Sequence, residues 1–132
     1  MLSHVEWGCR RESRPQDYQD YIERKGGAVS VEQQVIVTNQ APEPIGPFSQ
    51  AIQLGQTVYV SGQIGVDRSI GKLAATDIEA QTRQALKNME VVLRSAGSAL
   101  KQVVKTTVHL PDLTEFKAID AVHAQIHPQG FA

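Results

Sequence analysis

Asp120, His123 and His127 fall at i, i+3 and i+7, one face of a helix, and a carboxylate and two imidazoles so spaced are acceptable ligands for a metal ion. An ordinary helix surface near the end of the chain explains them equally well, so no metal is assigned. Ser61-Gly62 closes a β-branched run and sets a hydroxyl beside a residue with no Cβ, which lets backbone donors approach a ligand closely. The plain alternative is a strand terminus with a turn. Phe48 sits in a proline-rich stretch and reads as an apolar wall for a ligand or, equally, as an anchor packed on the core. His109, on a strand, reads as a surface or interface histidine. Cys9 is the single cysteine, so an internal disulfide is excluded, and no catalytic role is given to it.

The elements that must position these residues are legible in part. Val35-Ile-Val37 reads as a short strand, and Asn39 to Pro47, with three prolines, as a loop. Ser49–Leu54 and Thr57–Ser61 flank Gly55-Gln56, and glycine in the first turn position suits a type II′ hairpin. That register pairs Leu54 with Thr57, Ile52 with Tyr59 and Gln50 with Ser61, with Ala51, Gln53, Val58 and Val60 on the opposite face. Neither face is purely polar, so cover on both sides is expected, half of it helical. A loop over 67–75 leads to a capping box at Thr76–Glu79. Ile78, Thr82, Ala85, Leu86, Met89, Leu93 and Ala96 then form one apolar stripe, and Gly97 ends the helix. Arg83, Lys87, Glu90 and Arg94 lie on the solvated side. Val103 to Leu110 reads as a strand, Asp112–Glu115 as a second capping box, and Leu113, Phe116, Ile119, Val122 and Ile126 as the stripe of a second helix.

The order of strand, hairpin, helix, strand and helix predicts an α+β layer with both helices on one face of the sheet. The chain has 132 residues, 41% of them hydrophobic, which suits one domain with a modest core. Residues 1–34 are rich in charge and poor in apolar side chains, and are read as a mobile extension without an assigned role. Trp7 alone in it is suited to docking. The formal charge of -1 and the lack of an interleaved basic and aromatic patch argue against nucleic-acid binding. No apolar run reaches membrane-spanning length, and no secretory leader is visible. A cytoplasmic location is expected, with a mitochondrial one as the alternative.

Three segments resemble the RidA/YjgF family of enamine/imine deaminases. Ala41-Pro-Glu-Pro-Ile-Gly-Pro-Phe-Ser-Gln50 is similar to its proline-rich loop, Val58-Tyr-Val-Ser-Gly-Gln63 to its central strand end, and Gln84-Ala-Leu-Lys-Asn-Met89 with Val104-Lys-Thr-Thr-Val108 to its helix-then-strand core. The resemblance implies a chorismate-mutase-like fold, a homotrimer with clefts between subunits, and hydrolysis of 2-aminoacrylate-type enamines and imines to 2-keto acids and ammonia. It implies no metal and no cofactor, because a protonated iminium is already electrophilic. A small-molecule imine or 2-keto acid is the implied partner. Phe48, Ser61, Gly62 and Asp120 are the substrate-binding positions carried over. Asp120 stands where the family often has asparagine, and its charge would repel an anionic substrate.

The arginine that grips the substrate carboxylate and the glutamate that handles water lie, in the family, beyond the second helix, on a last pair of strands. No position of this chain corresponds to either. The domain over 35–132 is therefore expected to be incomplete at its C-terminus and a poor deaminase, with no catalytic residue assignable. The alternatives are a non-catalytic module that binds small carboxylates or a partner on the same fold, and ribonuclease or translation inhibition.

Overall fold

A computed structural model describes residues 32–127, and the predicted N-terminal extension lies almost wholly outside them. Three strands, β1 (Gln33–Ile36), β2 (Ala51–Leu54) and β3 (Thr57–Val60), form an antiparallel sheet in the order β1-β2-β3. The first strand begins at Gln33, two residues before the β-branched run. The hairpin register is the one the sequence predicts, with Leu54 opposite Thr57 and Ile52 opposite Tyr59. Gly55 at φ 59 makes the turn, and no residue other than glycine has positive φ among the described ones, as a type II′ turn requires. The Ser61 amide donates to the Gln50 carbonyl at 3.0 Å and extends the ladder past β3.

Where a loop is predicted over 67–75, the chain folds a small hairpin from β4 (Val66–Asp67) and β5 (Lys72–Leu73). Helix α1 (Ile78–Ser95) follows. Its N-cap is Asp77 rather than Thr76: the Asp77 carboxylate accepts from the Ala80 amide at 2.8 Å. A carboxylate at the positive end of the helix is the better cap, which is the physical reason for the one-residue correction. At the far end Gly97 (φ 73) donates to Arg94 and Ser98 donates to Leu93, the paired bonds of a Schellman motif. On the polar face Arg83, Lys87 and Arg94 are exposed as predicted, and Glu90 is half-buried and paired to Arg94.

Helix α2 (Phe116–Ile126) carries the second correction. Asp112 caps a single 3₁₀ turn, Leu113–Glu115, by accepting from the Thr114 amide, and the α-helix starts only after it. Ile119 and Val122 are buried, whereas Leu113 and Phe116, predicted for the same stripe, are 81% and 57% exposed. Val103–Leu110 is the third correction: it enters no strand ladder among the described residues. Its Val and Thr content favours extended backbone, but a strand also needs a partner edge, and a local propensity cannot supply one.

The core lies between one face of the sheet and α1. Ile36, Ala51, Val58 and Val60 meet Leu86, Met89, Val92 and Leu93, with Val103 and Val122 closing the far side. Arg83 on α1 donates to the Gln125 side chain on α2, tying the helices together at the surface. The other sheet face is not covered by any described residue, contrary to expectation. Val35, Leu54 and Tyr59 are 53%, 40% and 45% exposed there. The fold is nonetheless the predicted α+β class, an antiparallel sheet with two helices.

Candidate functional site

Two irregular segments meet beside the end of β3 and enclose a cleft of about 120 Å³. One wall is the proline-rich loop, with Pro42, Glu43, Pro44, Ile45 and Phe48. The other is the segment leaving β3, with Ser61, Gly62, Gln63, Ile64 and Val66, and Gln50 and Asn88 complete the lining. The first wall joins no ladder and the second reaches one only at Val66, the start of β4, so side chains hold the rest.

Gln50 holds the first wall. It is buried, its Oε1 accepts from the Thr38 amide at 2.7 Å, and its Nε2 donates to the Thr38 and Pro42 carbonyls at 3.1 and 3.0 Å. A single side chain thereby satisfies three backbone groups that have no strand partner. Replacing Gln50 with Leu is expected to cost about 2 kcal/mol, since it strands those groups. A lower denaturant midpoint at unchanged slope would show it, and an unchanged midpoint would count against the brace.

Asn88, projecting from α1, holds the second wall: its Nδ2 donates to the carbonyls of Ile64 and Val66 at 3.0 and 2.8 Å. Gly65 lies so close to α1 that a Cβ on it would fall 2.7 Å from the Gln81 backbone. Ser61 donates its hydroxyl proton to the Ser49 carbonyl, which leaves its oxygen lone pairs as acceptors. The Gly62 amide enters none of the backbone hydrogen bonds formed by the described residues. The half-exposed Phe48 ring packs over Gly46, where a Cβ would lie 2.7 Å from the ring.

The cleft therefore brings together Phe48, Ser61 and Gly62, three of the four positions named from the sequence. Asp120 is not among its lining residues; it is exposed on α2. The residues that sequence reading missed are Gln50, Asn88 and Glu43. A signal existed for Asn88, a polar residue four positions before the fully buried Val92 of the same helix. None existed for Gln50, whose partners lie eight and twelve positions away. Chemically the cleft offers apolar walls, hydroxyl acceptors and a backbone donor. Glu43 is its only ionisable lining residue, and no cation lines it among the described residues.

The Asp120/His123/His127 face does not assemble a metal site, and no group of three His, Cys, Asp or Glu suited to a metal occurs among the described residues. Burial pushes the His123 imidazole below its ordinary value of 6.5, and the nearby Asp120 carboxylate only partly opposes this. The folded state thus favours neutral His123 more than the unfolded chain does. Its stability contribution is full above pH 6.5 and is lost as pH falls through the depressed folded value. Melting temperature should drop over that window, and His123→Gln should flatten the drop. An equal slope in the variant would assign the drop to other groups. Asp67 and Asp112 are held below 3.8 by hydrogen bonds from Ser69 and Thr114 and act only at lower pH.

Residues 38–131 match the family described as Endoribonuclease L-PSP. Human 2-iminobutanoate/2-iminopropanoate deaminase is 42% identical over 102 residues, covering 77% of this chain and 74% of that protein. The chain belongs to the RidA/YjgF family. The structure of RidA from an Antarctic Psychrobacter species superposes with a TM-score of 0.71 at 36% identity, over 74% of this chain and 79% of that one. Escherichia coli TdcF with bound serine gives 0.69 at 35%, over 73% and 75%. The loop-and-strand-end cleft of this RidA/YjgF member lies within the matched residues.

Proposed function

We propose that this chain takes small 2-imino acids, of the 2-iminobutanoate and 2-iminopropanoate kind, into the cleft at Ser61–Gly62 and hydrolyses them to 2-keto acids and ammonia. The observation that carries the reading is the convergence of Phe48, Ser61 and Gly62 on one small, largely apolar cleft. The deaminase relatives support the reaction class, and the serine bound by TdcF supports a ligand of amino-acid size. In the reaction, water adds to the imine carbon, a proton moves to nitrogen, and the C–N bond breaks to release ammonia. In this reading the Gly62 amide donates to a substrate oxygen, and the Ser61 oxygen accepts from the iminium N–H or from water. Phe48 and the prolines keep bulk water from the imine.

Assembly belongs to the same proposal. Val35, Ile52, Leu54 and Tyr59 form an apolar sheet face that nothing described covers, and two further copies of the chain in a homotrimer would cover it. A cleft shared with a neighbouring subunit would also gain groups that one subunit lacks.

A second reading, a non-catalytic ligand-binding or regulatory module on the same fold, is favoured because the described lining holds no cation to grip and orient an imino acid's carboxylate for attack. The same lack, with Glu43 beside it, makes binding of a small carboxylate weak. The same lining gives RNA phosphates no Lys or Arg to pair with. The test is 2-keto acid release from 2-iminobutanoate, generated in place by an amino-acid oxidase, with the full 132-residue chain. Saturable acceleration that Ser61→Ala and Phe48→Ala reduce would support deamination. Binding of 2-oxobutanoate without acceleration would replace it with the second reading.

A further inference from the structure

Asn88 is an expensive residue for its position. Asparagine is a poor helix former, and this one sits in the middle of α1 at 4% exposure, where an unpaired amide would carry a large desolvation penalty. The penalty is offset because the amide is bonded on both sides. Its two N–H groups go to the Ile64 and Val66 carbonyls, and its Oδ1 accepts from the Gln84 side chain at 2.8 Å. Those two carbonyls belong to backbone whose other described bonds run only to its own small hairpin, Val66 opposite Leu73 and the Gly65 carbonyl accepting from the Ala74 amide. The side chains of the same two residues form the apolar wall facing the proline-rich loop.

We propose that Asn88 is a positioning residue that fixes the Ile64–Val66 wall and so sets how large an aliphatic side chain the cleft accepts. This rests on the reading of the cleft as a 2-imino acid site. Ligands are held by their polar end near Ser61–Gly62 and extend their side chain along Ile64, Val66 and Phe48. Each methylene that packs there is worth about fourfold in affinity, until the clamped wall stops further growth. With the clamp gone, the wall retreats and the limit moves to longer or branched side chains. Asn88 lines the cleft, but its Nδ2 is spent on the Ile64 and Val66 carbonyls, so it acts through those two residues rather than by bonding a ligand.

The test uses binding, so that it does not depend on turnover. Dissociation constants for pyruvate, 2-oxobutanoate and 4-methyl-2-oxopentanoate are measured by calorimetry on the wild-type chain and on Asn88→Asp, which keeps the shape and the Gln84 bond but loses both donors. Backbone amide exchange is followed alongside. The expected result is a shift of about threefold or more in the affinity ratio toward the branched acid, with faster exchange confined to 62–66 while α1 stays protected. A uniform loss of affinity for all three acids, or an unchanged ratio, would reduce Asn88 to a structural residue and overturn the proposal. Ile64→Val trims the same wall without touching the clamp and must shift the ratio in the same direction. An unchanged ratio in Ile64→Val would overturn the proposal even if Asn88→Asp does not fold. If the wild-type chain binds none of the three acids, the cleft reading fails and this inference with it. If it binds them but does not turn over imines, only the deaminase reading fails.

Discussion

Gly65→Val is expected to destabilise the domain by about 3 kcal/mol and to abolish ligand binding in the cleft. Gly65 is buried, and a Cβ there would stand 2.7 Å from both the Cα and the carbonyl oxygen of Gln81 and 2.9 Å from its Cβ. These are mostly backbone atoms of the first turns of α1, and they cannot swing aside as the tip of a flexible side chain can. The loop or the helix must therefore move. Neither can move freely: the Gly65 carbonyl accepts from the Ala74 amide at 2.8 Å, and the flanking carbonyls of Ile64 and Val66 are held by Asn88. Strain at Gly65 thus passes directly into the wall that carries Ile64 and Val66. Gly65→Ala should show a smaller loss in the same direction. Chemical denaturation and 2-oxobutanoate titration measure the two effects, and a variant with wild-type stability would mean that the loop stands off the helix in solution.

If the proposed trimer forms through the outer sheet face, Tyr59→Lys should convert it to monomers, with the mass by light scattering falling about threefold. Tyr59 lies opposite Ile52, which lies opposite Val35, so one row of the sheet presents three large side chains on the uncovered face. A lysine in that row would bring a charge to a surface that is apolar when buried, and desolvating it without a partner costs several kcal/mol per subunit. In a monomer the same substitution is harmless, since position 59 is 45% exposed and faces away from the core. The variant should therefore lose assembly but keep its fold. A wild-type chain that is already monomeric would remove the trimer from the proposal. A Tyr59→Lys chain that remains trimeric would place the interface elsewhere.

What the sequence determined by itself is the set of features written in short-range pattern. A glycine between two strand-patterned runs was enough to set the hairpin register residue by residue, because a two-residue turn leaves only one pairing of the flanking strands. The apolar stripe from Ile78 to Ala96 and the glycine after it delimited α1, because helix periodicity and the left-handed cap are both local. The motifs at Phe48 and at Ser61-Gly62 carried the family resemblance, and with it the fold and the position of the cleft.

Tertiary structure decided what depends on partners distant in the chain. Val103–Leu110 has the composition of a strand but joins no ladder among the described residues, since pairing is a property of two segments. The outer sheet face and the Leu113/Phe116 pair are apolar but uncovered, because pattern shows that a face is apolar and not what lies against it. Asp120, placed by alignment alone, stands apart from the cleft on α2. Gln50 and Asn88 looked like ordinary polar residues. Their importance comes from bonds spanning eight to twenty-four positions, which brace two largely irregular walls whose backbone carbonyls would otherwise go unpaired.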